Sequence, residues 1–194
     1  DNSLNGNAAN NSLNGSSGND TLSGGAGKDT LNGGTGNDSL VGGTGNDIMI
    51  GKGADAFQGG AGDEEIRVST LDFFRADGGS GTDTIKLDGS GLHLDLTALA
   101  DNKTNSIERI DIAGTGNNTL TLSVRDVLNL SEESNALLVL GDAGDVVNRG
   151  AGWTTATTGG TNGNGTSIID GETFQIYTAG QAALLVDTDV SVAV

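Results

Sequence analysis

The 194-residue chain has 34 glycines, no proline, no cysteine, one histidine and 3% aromatic residues, and its 26 acidic against 9 basic side chains give a net charge of −17. That composition excludes disulfide scaffolds, thiolate zinc sites, cysteine nucleophiles and histidine clusters, and its sign repels a nucleic-acid backbone rather than attracting it. No stretch approaches the roughly 18 consecutive apolar residues of a transmembrane helix.

From Gly6 the chain falls into lines of nine: GNAANNSLN, GSSGNDTLS, GGAGKDTLN, GGTGNDSLV, GGTGNDIMI, GKGADAFQ and GGAGDEEIR, the sixth restored by one gap after Lys52. The opening DNSLN fits the tail of one earlier copy. The eighth position is apolar in every line: Leu4, Leu13, Leu22, Leu31, Leu40, Met49, Phe57 and Ile66. The sixth is Asn2, Asn11, Asp20, Asp29, Asp38, Asp47, Asp55 and Glu64, an amide twice and then a carboxylate.

This spacing predicts a short strand carrying one inward apolar side chain, followed by a six-residue turn in which glycine permits positive φ and close backbone approach. Two such units make a coil with a strand on each side, and stacked coils place parallel strands about 4.8 Å apart. Residues 18 apart then lie one above another. Asp20, Asp38 and Asp55 form one column, and Asp29, Asp47 and Glu64 the other. A single Asp can close its turn by its own hydrogen bond and bind nothing. A column of them is self-repelling, and Lys28 is the only basic residue between Gly6 and Gly51. Paired carboxylates with turn carbonyls form an oxygen-only cage, which suits Ca²⁺ better than Mg²⁺ or zinc.

The lines match GGxGxDxUx, the calcium-binding nonapeptide of RTX proteins, and the chain resembles the RTX (repeats-in-toxin) family of secreted bacterial proteins over residues 6–67. The resemblance implies an all-β fold: a right-handed parallel β-roll, or β-solenoid, of calcium-binding nonapeptide repeats with a C-terminal β cap. It also implies that alternate turn carbonyls join each carboxylate. The metal ligands it assigns are Gly18, Asp20, Gly25, Gly27, Asp29, Gly34, Gly36, Asp38, Gly43, Gly45, Asp47, Gly53, Asp55, Gly62, Glu64, Gly79, Gly81 and Asp83. The neutral Asn2 and Asn11 should give weaker or vacant sites. The longer Glu64 and the shortened turn at Lys52–Gly53 alter the geometry of theirs.

After Ile66 the pattern degenerates but persists. Residues 78–86 (GGSGTDTIK) are another full copy with Asp83 at the ligand position. Alternating apolar sets at Ile66 and Val68, Phe74 and Ala76, Ile85 and Leu87, and Leu92, Leu94 and Leu96 read as wider coils. So do Ile107, Ile110 and Ile112, the GTGNN turn at 114–118, and Leu120, Leu122 and Val124. Residues 71–74 and 97–106 read as excursions, and 125–130 as one helical turn. His93, amid LHLDL, reads as a solvated surface residue. The GDAGD stretch at 141–145 reads as a tight turn rather than a last cation turn. Residues 154–166 read as a hairpin loop. Segments 173–177 and 183–186 form a closing antiparallel pair, with Trp153, Phe174 and Tyr177 capping the open end. The expected division is 1–68 nonapeptide β-roll, 69–130 degenerate coils, and 131–194 cap with a type I secretion signal.

A chain opening at Asp1 without methionine or a signal-peptide h-region reads as a piece of something larger. With no HExxH, no GxSxG and a single histidine, the fragment is expected not to be an enzyme. The likeness of 107–130, GDAGD and DTDV to the C-terminal end of large RTX adhesins, and the loose likeness of the 184–194 tail to a type I signal, imply a calcium-dependent folding module of a secreted adhesin. Its partners would be several calcium ions and the type I secretion machinery, its place the outside of the cell or the bacterial surface, and its state a monomeric part of a longer chain. The alternatives are an RTX module of a secreted enzyme and a polysaccharide- or ice-binding β-solenoid. The second is weakened because Thr21, Thr30 and Ser39 alternate between two faces.

Overall fold

A computed structural model describes residues 1–131, 134–157, 160 and 165–194; positions 158, 159 and 161–164, inside the expected 154–166 loop, lie outside it. The described chain is mostly strand, with three sheets. The first sheet runs Ser3–Asn7, Thr21–Ala26, Ser39–Thr44, Ala56–Ala61, Arg75–Ser80 and Thr104–Asn105, with parallel pairing throughout.

The second sheet takes the alternate strands of the repeats, Ser12–Asn14, Thr30–Asn32, Ile48–Gly51, Glu65–Val68 and Thr84–Leu87. It continues in parallel through Arg109–Asp111, Ala136–Leu140 and Ala182–Asp187. The chain therefore crosses from one sheet to the other every nine residues. Each inward apolar side chain lands on its counterpart: Leu4, Leu22 and Leu40 in the first sheet, Leu13, Leu31 and Met49 in the second. The register drops by one where Leu40 meets Phe57 and Met49 meets Ile66, the mark of the residue lost after Lys52. It recovers where Phe57 meets Ala76 and Ile66 meets Ile85.

From residue 88 the winding changes. A third parallel sheet of His93–Asp95, Thr119–Thr121, Val146–Asn148 and Ser191–Ala193 opens a further face, which the degenerate-coil reading did not foresee. Each turn is longer there and buries more apolar side chains, among them Ile110, Ile112, Leu120, Leu122, Leu137 and Val147. The expected helical turn is the helix Val124–Leu130, in whose first turn the Asp126 carboxylate accepts from the Ser123 backbone N–H and hydroxyl at 2.7 and 2.8 Å. It buries Val127 and Leu130. At the far edge of the second sheet, Glu172–Ala179 lies antiparallel to Ala182–Asp187. Trp153, Phe174 and Tyr177 are buried.

One apolar assignment is overturned. Phe74, placed in an inward alternating set with Ala76, is 71% exposed, whereas its neighbour Phe73 is buried with the Lys103 ammonium 4.8 Å over its ring. Residues 69–74 are bend and loop, so no strand alternation fixes which side chain turns inward.

Candidate metal centre

Each repeat turn delivers its sixth residue directly before the strand, where the backbone enters the ladder and the side chain folds back under the turn. The carboxylates of Asp20, Asp29, Asp38, Asp47, Asp55, Glu64 and Asp83 are all buried. One oxygen of each aspartate column serves the coil beside it. Asp38 Oδ1 accepts the Asp20 N–H at 2.8 Å, Asp55 Oδ1 the Asp38 N–H at 2.8 Å, and Asp47 Oδ1 the Asp29 N–H at 2.8 Å. Asp83 Oδ1 accepts the Glu64 N–H at 2.8 Å. Thus the columns anticipated from spacing are also backbone-capping ladders.

The second oxygen has no such partner. Oδ2 of Asp20, Asp29, Asp38, Asp47, Asp55 and Asp83, and both carboxylate oxygens of Glu64, are buried without a hydrogen bond. Among the described residues no lysine, arginine or histidine side chain pairs with any of them; the side-chain ion pairs are Arg67–Glu65, Arg75–Asp77, Lys86–Asp111 and Arg125–Asp101. An unpaired buried charge costs several kcal/mol. Apart from the Asp1 ammonium 3.8 Å from Asp20 Oδ1, the protein atoms alone leave that cost uncompensated, once per nine-residue turn.

The surroundings of the orphan oxygens are more oxygen. A Cβ built on Gly24 would lie 2.4 Å from Asp29 Oδ2 and 2.7 Å from the Gly42 carbonyl; one on Gly15 would lie 2.5 Å from Asp20 Oδ2 and 2.6 Å from the Gly33 carbonyl. Gly33, Gly42, Gly51 and Gly78 lie equally close to their own aspartates. These first glycines of each turn belong to the site as space for the carboxylate, a role that the ligand assignment missed although the GG doublet signalled it.

The positive-φ glycines stack in rows. Gly43 has φ +119°, and a Cβ on it would meet the Gly25 carbonyl at 2.0 Å. Likewise the Gly18 carbonyl abuts Gly36, Gly36 abuts Gly53, Gly27 abuts Gly45, Gly45 abuts Gly62, and Gly62 abuts Gly81. Gly34 and Gly79 follow the same rule against Ser16 and Gly60. Carbonyl oxygens therefore run along the stack beside the carboxylates.

Burial, first, pushes the carboxyls of Asp47 and Asp55 above the ordinary range. It does the same to Glu64, raised to about 8 with the Asp83 charge adding to it, and to Asp83, raised to about 6. Both effects are what a cation would reverse. Among the described residues no three Asp, Glu, His or Cys side chains converge, so an ion here takes backbone carbonyls into its shell. An all-oxygen donor set with net negative charge fits Ca²⁺.

Four other positions are informative. Glu108, absent from the assigned ligands, accepts the Asp83 N–H at 2.9 Å and extends that column; its signal was an acid two residues before an inward apolar residue, Ile110. Asn11 turns its Oδ1 to the Asn7 N–H at 2.7 Å, within its own turn. At Gly141–Asp145 both carboxylate oxygens of Asp145 are used, Oδ1 by the Asn118 N–H at 2.7 Å and Oδ2 by the Asp142 N–H at 2.8 Å. That is a hydrogen-bonded tight turn. His93 is exposed, with Nε2 2.8 Å from the Thr121 hydroxyl.

The family model of the RTX calcium-binding nonapeptide repeat (4 copies) matches residues 1–31 and 23–55. No curated protein and no solved structure matches the chain.

Proposed function

Residues 1–55 are RTX calcium-binding nonapeptide repeats, and such repeats bind Ca²⁺; from that premise we propose that the chain is a calcium-dependent folding module of a secreted adhesin, exported by a type I apparatus and folded outside the cell. The observation that carries this reading is the orphan carboxylate oxygen repeated in each coil. On it, residues 1–68 form a right-handed β-roll, 69–130 its wider coils, and 131–194 a cap with the secretion signal.

The ions sit between successive turns. Asp20, Asp29, Asp38, Asp47, Asp55, Glu64 and Asp83 supply charge, and the carbonyls of Gly18, Gly25, Gly27, Gly34, Gly36, Gly43, Gly45, Gly53, Gly62, Gly79 and Gly81 supply neutral oxygens. About four to seven ions would bring +8 to +14 against the net charge of −17. Extracellular calcium modules bind at about 10⁻⁴–10⁻³ M. The linkage is then near zero in a cytosol with sub-micromolar free calcium, and on the order of a kcal/mol per site outside. The repeats stay threadable within and fold on emergence. The absence of proline and cysteine removes slow isomerisation and oxidation from that step. RTX repeats are typical of secreted proteins, and no described helix is long and apolar enough to cross a membrane.

The test is export. A reporter fused ahead of the chain, in cells carrying a type I apparatus, should appear in the medium, and removal of 131–194 should retain it inside. A reporter retained with the full chain would contradict the export role and leave calcium-dependent folding standing.

A further inference from the structure

A column of the same kind stands in the third sheet, a separate face from the two of the repeats. It passes from Leu92 to Asn118 to Asp145, each one coil from the next. The backbone bonds are those of the repeats: Asn118 Oδ1 accepts the Leu92 N–H at 2.8 Å, and Asp145 Oδ1 accepts the Asn118 N–H at 2.7 Å. The difference lies at the second side-chain atom. Where the repeats hold a bare Oδ2, Asn118 presents its Nδ2, which donates to the Ile112 carbonyl at 2.9 Å and approaches the Gly89 carbonyl at 3.4 Å. Asn118 is wholly buried, and a Cβ on Gly114 would lie 2.7 Å from that Nδ2 and 2.6 Å from the Gly89 carbonyl, the same oxygen-lined niche. Asp145, as described, has both oxygens satisfied. An independent case stands at the other end of the chain, where the Asn2 Nδ2 donates to the Gly15 carbonyl at 3.2 Å.

We infer that the Asn118 amide takes the place of a cation, so that the coils of the third sheet fold without calcium and present a formed end on which the calcium-requiring repeats stack. An N–H donor aimed at turn carbonyls performs, without charge, the bridging that an ion between carboxylate and carbonyl performs in the repeats. The inference rests on the calcium reading of the repeats, and it divides the molecule by chemistry. The N-terminal coils bury one apolar side chain per nine residues and carry unpaired charge. The C-terminal coils hold no buried carboxylate oxygen without a partner among the described residues, and their core is denser, with Ile112, Leu120, Leu122, Leu137, Val139 and Val147 buried.

Amide hydrogen exchange on the whole chain tests it, in excess EGTA and in millimolar calcium. In EGTA, Thr119–Thr121, Val146–Asn148 and Ala182–Asp187 should keep their protection within about threefold, while Thr21–Ala26 and Ser39–Thr44 lose it by about a hundredfold or more. The variant Asn118→Asp replaces the donor by a second carboxylate oxygen facing carbonyls. It should strip protection from Thr119–Thr121 in EGTA and regain it with calcium. Third-sheet strands as exposed as the repeats in EGTA, with the repeats still restored by calcium, would overturn the inference alone. Repeats protected in EGTA would overturn the calcium reading and the inference with it. An Asn118→Asp chain whose third sheet stays protected in EGTA would show that the amide bridges nothing, and would overturn the inference.

Discussion

Asp38→Ala isolates what one carboxylate does. Its Oδ1 is the acceptor for the Asp20 N–H at 2.8 Å, and its Oδ2 is one of the buried unpaired oxygens. Losing the acceptor strands a buried N–H formerly bonded to a charged group, at about 2 kcal/mol. On the proposed ligand set the side chain, lying between two coils, would serve the cation site on either side. At tenfold saturation each site contributes about 1.4 kcal/mol, so losing both removes about 3 kcal/mol. The total of about 5 kcal/mol, shared over about five ions taken up cooperatively, moves the calcium midpoint roughly fivefold upward. Asn11→Ala is the control, because its Oδ1 holds only the Asn7 N–H of its own exposed turn; about 1 kcal/mol or less and a midpoint shift under about 1.5-fold are expected. Calcium titration followed by far-UV circular dichroism measures both. Equal midpoints for the two variants would refute the stacking by 18 and the ladder built on it.

The pH dependence has a definite sign. In the folded geometry without an ion, burial would push the Glu64 carboxyl up to about 8 from an ordinary 4.5 and that of Asp83 up to about 6 from 3.8. The folded form therefore holds these protons more tightly. Its calcium-free stability is greatest at and below the ordinary values and declines as pH rises through 6 to 8. The calcium-free repeats are unfolded on this account and their carboxyls already ionised at neutral pH, so the calcium midpoint should stay flat between pH 8 and pH 6 and rise only as pH falls toward the ordinary carboxyl values; a midpoint that climbs between pH 8 and pH 6, read by the same titration, would show that the repeats keep their fold without calcium. Gly43→Ala sets a Cβ 2.0 Å from the Gly25 carbonyl and should abolish ordered stacking there, whereas Gly180→Ala, also at positive φ but with open space around it, should cost about 1 kcal/mol by chemical denaturation. Leu40→Ala empties a fully buried site in a thin core and should cost about 2–5 kcal/mol in millimolar calcium, measured the same way.

What could be read from sequence follows the strictness of the period. Where nine residues recur, the apolar eighth position and the acidic sixth fix the strand, its inward face and its neighbour; the stacks Leu22–Leu40–Phe57 and Asp20–Asp38–Asp55 are in the structure, slip included. Past residue 87 the coils lengthen unequally. Ile85 meets Ile110 and Ile110 meets Val139, so no constant spacing announces the third sheet. Phe74 was misassigned because alternation carries no phase through a bend. The ladder acceptor role of Oδ1 depends on which N–H lies one coil away, a fact of three dimensions. The substitution at Asn118 was visible as GTGNN, but its meaning comes only with the Ile112 and Gly89 carbonyls in place around it.

The central claim is that cations complete the repeats. A calcium titration of the EGTA-treated chain, with bound ions counted at each point and magnesium as control, tests it most directly. The account predicts a cooperative gain of strand signal with uptake of about four to seven Ca²⁺ per chain and little response to equal magnesium. The same strand signal in EGTA as in millimolar calcium, with no ions taken up, would contradict it.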